Sequence, residues 1–131
     1  MTMPERVYTT PLLDKLGVRP GARVSVLGVA DEAFLARLRA RADVSTRERT
    51  DSDLIFVAAD SAAELARLAL LERRIKRDGA IWVVSRKGKA ATLRDVDVID
   101  AAKRAGLVDN KVASFSETHT ALRLVVPRAR R

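Results

Sequence analysis

The sequence predicts an α/β fold, a three-layer sandwich with a mostly parallel sheet between two layers of helices. Three observations carry that expectation. Apolar runs of strand length recur at Ala22 to Gly28, Leu54 to Ala59 and Ala80 to Ser85, as buried parallel strands require. Stretches with helical apolar spacing and capping residues separate them. The last part of the chain alternates as two further strands.

The elements follow in order. Thr10 is the expected N-cap of a first short helix, with Pro11 at its first helical position, where a missing N–H is no loss. Leu12, Leu13 and Leu16 form its apolar face, and Gly17 suits a left-handed C-terminal position. Pro20-Gly21 makes a turn into the first strand, in which only Arg23 and Ser25 are polar. Asp31 caps a second helix running to about Arg41, with Phe34, Leu35 and Leu38 on its buried face. A short polar strand near Asp43 to Arg47 has the character of an edge strand. Asp51-Ser52-Asp53 is expected as a turn before the apolar strand Leu54 to Ala59.

Ser61-Ala62-Ala63-Glu64 matches a capping box. The helix it opens is expected to reach about Arg77, burying Leu65, Leu68, Leu71 and Ile75, with Asp78-Gly79 ending it. Ala80 to Ser85 then carries the single tryptophan, Trp82, which fits core packing better than base stacking. Arg86 to Ala91 is a basic loop. Thr92 with Asp95 is read as the next cap, of a helix to Ala105 closed by Gly106. Leu107 to Glu117 and Thr120 to Pro127 read as two antiparallel strands. Strands joined through helices imply right-handed parallel crossovers. Residues 11–127 are expected to form one α/β domain, with a flexible N-terminus expected over residues 1–10 and a mobile basic tail over residues 128–131.

Composition narrows the function classes. The chain has 131 residues and no cysteine. One core is therefore expected, and disulfide frameworks and thiolate metal or redox sites are excluded. The cysteine count fits a cytoplasmic protein. No apolar run approaches a membrane span, and Met1 to Thr10 has no apolar signal segment. Net charge is +8, which suggests an anionic ligand or nucleic acid as partner. All but six of the 25 basic residues are arginines, so arginine-rich solvated helix faces give the plainer account. The partner and the oligomeric state stay open.

Several segments resemble class I SAM-dependent methyltransferases. Leu16-Gly17-Val18-Arg19-Pro20-Gly21-Ala22-Arg23-Val24 is similar to their lead-in to the first strand. Asp53 to Ala59 resembles their central strand, and Arg77 to Val83 their glycine turn into the next. Ala102 to Leu107 resembles their last helix-to-strand junction. Gly106-Leu107-Val108-Asp109 and Leu122-Arg123-Leu124-Val125 resemble, more narrowly, a small bacterial family of unknown function with an abbreviated version of this architecture. The resemblance implies a Rossmann-like sheet of order 2-1-3-4-6-5 with the last strand antiparallel. One helix–strand unit of the methyltransferase pattern is missing.

The departures bear on cofactor. A methyltransferase loop needs an acidic residue near the end of strand one, and further glycines that let the backbone approach the ligand. Those positions fall on Val26, Ala30 and Glu32, leaving only Gly28. Val44-Ser45-Thr46-Arg47 has no acid to hold ribose hydroxyls. No cofactor is expected, SAM included, because a fold without its site residues supplies no function.

Ligands of open α/β sheets bind beyond the carboxyl ends of the strands. Candidate residues there are Gly28, Asp31, Asp60, Ser61, Ser85, Arg86, Lys87 and Lys89. The basic loop beside helix N-termini suits an anion. Asp31 and Asp60 oppose that, since their carboxylates are expected at the same helix ends, and a solvated surface loop is the plainer reading. His119 is the single histidine, read as a turn residue. With no cysteine or second histidine, no multi-ligand soft-metal site is expected. The preferred reading is a non-catalytic module with a degenerate cofactor loop, binding a partner or small anion. The alternatives are a nucleic-acid or phosphate binder using Arg86, Lys87, Lys89 and the C-terminal arginines, and a methyltransferase-like enzyme with a non-standard site at Asp31, Asp60 or His119.

Overall fold

Period-two alternation in the central strands sets the layering. The computed structural model describes residues 11–131. In β3 (Ser52–Ala58), Leu54 and Phe56 point to one face of the sheet, and Ile55 and Val57 to the other. In β4 (Ile75–Arg86), Ala80, Trp82 and Val84 share the first face, and Ile81 and Val83 the second. Strands buried on both faces need helices on both, which gives three layers. The first face is covered by α1 (Leu12–Lys15) and α2 (Glu32–Arg41) through Leu13, Leu16, Phe34, Leu35 and Leu38. The second is covered by α3 (Ala62–Leu65), α4 (Leu68–Leu71) and α5 (Asp95–Arg104) through Leu65, Leu68, Leu71, Val98 and Ala102.

The six strands lie in the order β2-β1-β3-β4-β6-β5, as the resemblance implies. β1 (Arg23–Leu27) pairs in parallel with β2 (Asp43–Ser45) and β3, and β3 pairs in parallel with β4. β6 (His119–Val125) runs antiparallel to both β4 and β5 (Val108–Ser114). That reversal brings the β5–β6 turn to the carboxyl end of β4, where His119 lies opposite Arg86.

Local chemistry accounts for the turns. Gly17 (φ 75°) ends α1, and the Val18 N–H donates to Leu13 O at 2.9 Å. Pro20 and Gly21 (φ 78°) form a turn closed by Ala22 N–H to Arg19 O at 3.0 Å, the pairing of proline with a left-handed glycine that a type II turn favours. Gly106 (φ 82°) closes α5.

Several expectations are corrected. The Thr10 cap and the N-terminus over residues 1–10 lie outside the described residues. Pro11 is the residue before α1 rather than its first helical residue, and its extended ψ of 144° keeps it out of the helix. β3 starts at Ser52, not Leu54, because the Asp53 carboxylate takes the Arg23 N–H at 2.8 Å and draws this segment beside β1. The turn falls back to Asp51, whose φ is 55°.

The long helix from Ser61 to Arg77 is broken. The Arg67 N–H donates to Glu64 O, a tightened three-residue bond, and α4 is followed by a 3₁₀ turn, Glu72–Arg74. β4 then begins at Ile75, opposite Ser52, so Asp78-Gly79 lies inside a strand. Lys76 Nζ meets Asp53 Oδ1 at 2.9 Å and Arg77 Nη1 meets Glu72 Oε2 at 2.8 Å. These tertiary partners override helical propensity. The capping box is also altered. Ser61 Oγ accepts the Glu64 N–H, but Glu64 reaches the N–H of Asp60 instead of Ser61.

Thr92 does not cap α5. Its hydroxyl donates to Asp60 O at 2.5 Å, and Asp97 Oδ2 instead accepts the Arg94 N–H at 2.8 Å. The strands of the last hairpin are shorter than expected. The basic tail is docked, not free. Arg130 Nη1 donates to Gly106 O at 2.5 Å and Arg131 Nε to Val126 O at 2.9 Å. A helix ended by a left-handed glycine leaves carbonyls without intrahelical partners, and the guanidinium supplies a donor.

Candidate functional site

At the carboxyl ends of β1, β3 and β4 the structure has an open cleft of about 330 Å³. One wall is the β1–α2 turn, Gly28 to Glu32. Gly28 sits at φ 80°, and a Cβ there would stand 3.5 Å from the Ala58 Cβ, so the backbone turns sharply without filling the cleft. Asp31 Oδ1 accepts the Phe34 N–H at 3.0 Å, which fixes its carboxylate at the positive end of α2. Ala58 and Val84 form the floor. The opposite wall is the β5–β6 turn, with Phe115, Ser116, Thr118 and His119. The Phe115 ring packs edge-on to Phe34 at 4.8 Å between centroids.

That turn is held by its own side chains. Ser116 Oγ accepts the N–H groups of Thr118 and His119 at 3.3 and 3.1 Å. Thr118 Oγ1 lies 2.8 Å from His119 Nδ1, and the Lys87 N–H donates to Thr118 O at 3.0 Å. The cleft thus brings together two hydroxyls, one imidazole and the acidic residues Asp31 and Glu32 against apolar walls. Among the described residues, no group of three histidine, cysteine or acidic side chains is placed to hold a metal ion.

The candidates of the sequence analysis separate into two groups. Gly28 and Asp31 line the cleft. Asp60, Ser61, Ser85, Arg86, Lys87 and Lys89 do not. The Asp60 carboxylate does not cap the helix that follows it. Its Oδ1 accepts the Arg86 N–H at 2.9 Å and its Oδ2 stands 3.9 Å from Arg86 Nε. Ser61 caps α3, and Ser85 is buried in β4. Lys87 Nζ donates to Ser114 Oγ at 2.8 Å, and Lys89 is exposed.

A family model described as "Protein of unknown function (DUF3052)" matches residues 14–128. The chain belongs to that family. Among curated proteins no match is found. Among solved structures, the DUF3052 chain is similar to a SAM-dependent methyltransferase from Aquifex aeolicus, with a TM-score of 0.68, 17% identity, 94% of this chain and 89% of that one covered. It is similar to a putative methyltransferase solved in complex with the Haloferax volcanii Trm112 methyltransferase activator (TM-score 0.67, 12% identity, 89% and 88% covered). A third likeness is a SAM-dependent O-methyltransferase from Thermotoga maritima (TM-score 0.65, 11% identity, 98% and 67% covered). At these identities the likeness is one of fold. The DUF3052 chain therefore has a Rossmann-like methyltransferase fold.

Of the positions named from the resemblance, Ala30 and Glu32 stay exposed in the cleft lining, whereas Val26 and the end of β2 have structural occupants. Val26 is a buried residue of the first core layer. At the end of β2, Ser45 Oγ accepts the Arg47 N–H at 3.0 Å. The first carboxylate beyond it, Glu48, pairs with Arg67 at 2.9 Å and Arg74 at 3.6 Å, outside the cleft lining. Ser116 and Thr118 of the cleft are not among the candidates that the sequence supplies. The signal that finds them is the 4-6-5 strand order, which carries the last turn to the carboxyl ends of the parallel strands. No described helix is long and apolar enough to cross a membrane.

Proposed function

We propose that this protein is a non-catalytic ligand-binding module on a methyltransferase-like scaffold, and that its site is the cleft between the Gly28–Glu32 turn and the Ser116–His119 turn. The observation that carries the reading is an open cleft that lacks the acidic groups SAM would need, the positions expected to supply them being taken up by structure. Val26 packs in the core, Ser45 closes its own turn, and Glu48 is ion-paired elsewhere. At about 330 Å³ the cleft falls at the small end of ligand sites. His119 has its Nδ1 beside a hydroxyl, with no carboxylate hydrogen-bonded to it among the described residues, so the oriented acid–base pair of a catalytic histidine is not built. The lining favours a small polar ligand with an apolar part over a multiply charged anion. Asp31 and Glu32 stand in its lining, and the side chains of Arg86, Lys87 and Lys89 do not.

SAM titration by calorimetry tests the cofactor half of this reading, with no saturable heat expected. Binding at micromolar SAM, or transfer of a labelled methyl group to any lysate component, overturns it. The site half is tested by a fragment screen read by NMR. Hits should shift Gly28, Ser116 and His119 resonances, and H119A and S116A should weaken them. Hits that cluster elsewhere and ignore both substitutions overturn the assignment.

A further inference from the structure

A second cavity, of about 450 Å³, lies at the opposite end of the strands, by the amino ends of β1 and β3. We propose that it binds an oxyanion, a carboxylate or phosphate group, through the guanidinium groups of Arg123 and Arg19.

Arg123 sits in β6 directly opposite Trp82 of β4. By strand alternation its side chain joins Ala121 and Val125 on the first face, and it reaches the cavity wall. It is half-buried there. Burial holds its pKa below the usual arginine value, and the nearby positive charge of Arg131 adds to that. Among the described residues Arg123 has neither a carboxylate at ion-pair distance nor a hydrogen-bond acceptor. The chain's other partly covered arginines differ. Arg41 has Asp14 and Val18 O, Arg49 has Asp43 and Val24 O, Arg23 donates from its Nε to Thr50 O, and Arg74 has Glu48 at 3.6 Å. Partial desolvation of a cation is costly unless a partner offsets it.

The rest of the cavity is shaped for such a partner. Arg19 lines it, exposed, and its charge reaches Asp53 without closing an ion pair. Asp53 is already held by the Arg23 N–H and by Lys76. Added Cβ atoms at Gly17 and Gly21 would meet nothing within 4 Å, so the wall there is open space. Asp78 remains at the rim, and it selects for a ligand that carries a hydrogen-bond donor as well as the oxyanion. A guanidinium fork matches carboxylate and phosphate oxygens in pairs. The site is separate from the cleft and does not depend on the function proposed for it.

The test uses the full chain at low salt, with inorganic phosphate and a fluorescent glutamate-rich peptide as probes. Binding is measured by calorimetry and fluorescence anisotropy. We expect at least one probe to bind, R123Q to weaken it about tenfold or more, and R19Q to weaken it less. R86Q, in the basic loop at the opposite end of the strands, should leave binding unchanged. Phosphate binding without peptide binding identifies a free small anion, and peptide binding competed by phosphate identifies the carboxylate of a partner chain. Far-UV circular dichroism and Trp82 emission verify the fold of R123Q. If R123Q does not fold, R123K keeps the charge without the fork and should still weaken binding. No binding of either probe at low salt overturns the proposal, as does binding unaffected by R123Q and R123K or abolished by R86Q.

Discussion

The Trp82 indole Nε1 donates to the Leu16 carbonyl oxygen at 3.0 Å, across 66 residues of sequence. Both residues are fully buried. The bond ties the centre of the sheet to the last turn of α1, which is only four residues long and too short to be stable alone. W82F should cost about 2–4 kcal/mol, from the volume lost and a buried carbonyl left without its donor. Urea unfolding followed by circular dichroism measures it. A loss under about 0.5 kcal/mol, the range of a surface substitution, would mean the bond does not anchor α1.

Gly79 faces a different constraint. A Cβ there would stand 2.9 Å from Asp53 O and 3.0 Å from Ser52 O, both backbone atoms that cannot swing aside. G79A should destabilise by about 1–3 kcal/mol, the usual cost of overpacking. Hydrogen exchange should rise first from Ile75 to Gly79, where β4 pairs out of register with β3, and least at Val83. Equal acceleration along all of β4 would contradict this.

These two sites mark what was legible in the sequence. Strands whose apolar pattern decides their fate, such as Leu54 to Val57 and Ala80 to Val84, were readable from that pattern, and their order from the family resemblance. So were the glycines at 17, 21 and 106, whose backbone angles leave little choice. The break at Arg67 and the strand start at Ile75 were not. A helical pattern continues through them, and partners distant in sequence, Asp53 for Lys76 and Ser52 for Ile75, decide the outcome. The cleft was half legible. Gly28 and Asp31 belong to a local strand–turn–helix motif, whereas Ser116 and Thr118 arrive by topology.

Asp53 makes stability depend on acid. Burial pushes its pKa up, but the Arg23 N–H, Lys76 and Arg19 together outweigh that and hold it below its ordinary value of 3.8. A folded-state pKa below the unfolded one means stability that is present above the unfolded value and lost as pH falls through the folded one. Asp97, lowered by Arg94, acts in the same direction. The urea midpoint should fall as pH drops below about 4, and D53N should flatten part of that fall, leaving the share of Asp97. Lys76 has the opposite sense. Its pKa is raised above 10.5 by Asp53, so its contribution is present below 10.5 and is lost as pH rises through the raised value. Identical acid profiles for wild type and D53N would exclude the pairing as a source.

The docked tail gives the last prediction. Arg130 reaches both the Gly106 carbonyl and Glu72, but Glu72 Oε2 is 3.7 Å from its Nη2 and only 2.8 Å from Arg77 Nη1. The carbonyl is therefore the stronger of its two contacts. Half of the Arg130 side chain remains exposed, which limits its worth to about 0.5–1 kcal/mol. R130A should lower the melting temperature by about 2–5 °C, and removal of residues 128–131 should lower it slightly more, through Arg131. In a double-mutant cycle, R130A with E72A should couple by less than about 0.5 kcal/mol, and R77A with E72A by more. A larger coupling for Arg130 than for Arg77 would move the anchor of the tail from the end of α5 to Glu72. Loss of the tail would then loosen the start of β4 instead of the last turn of the helix.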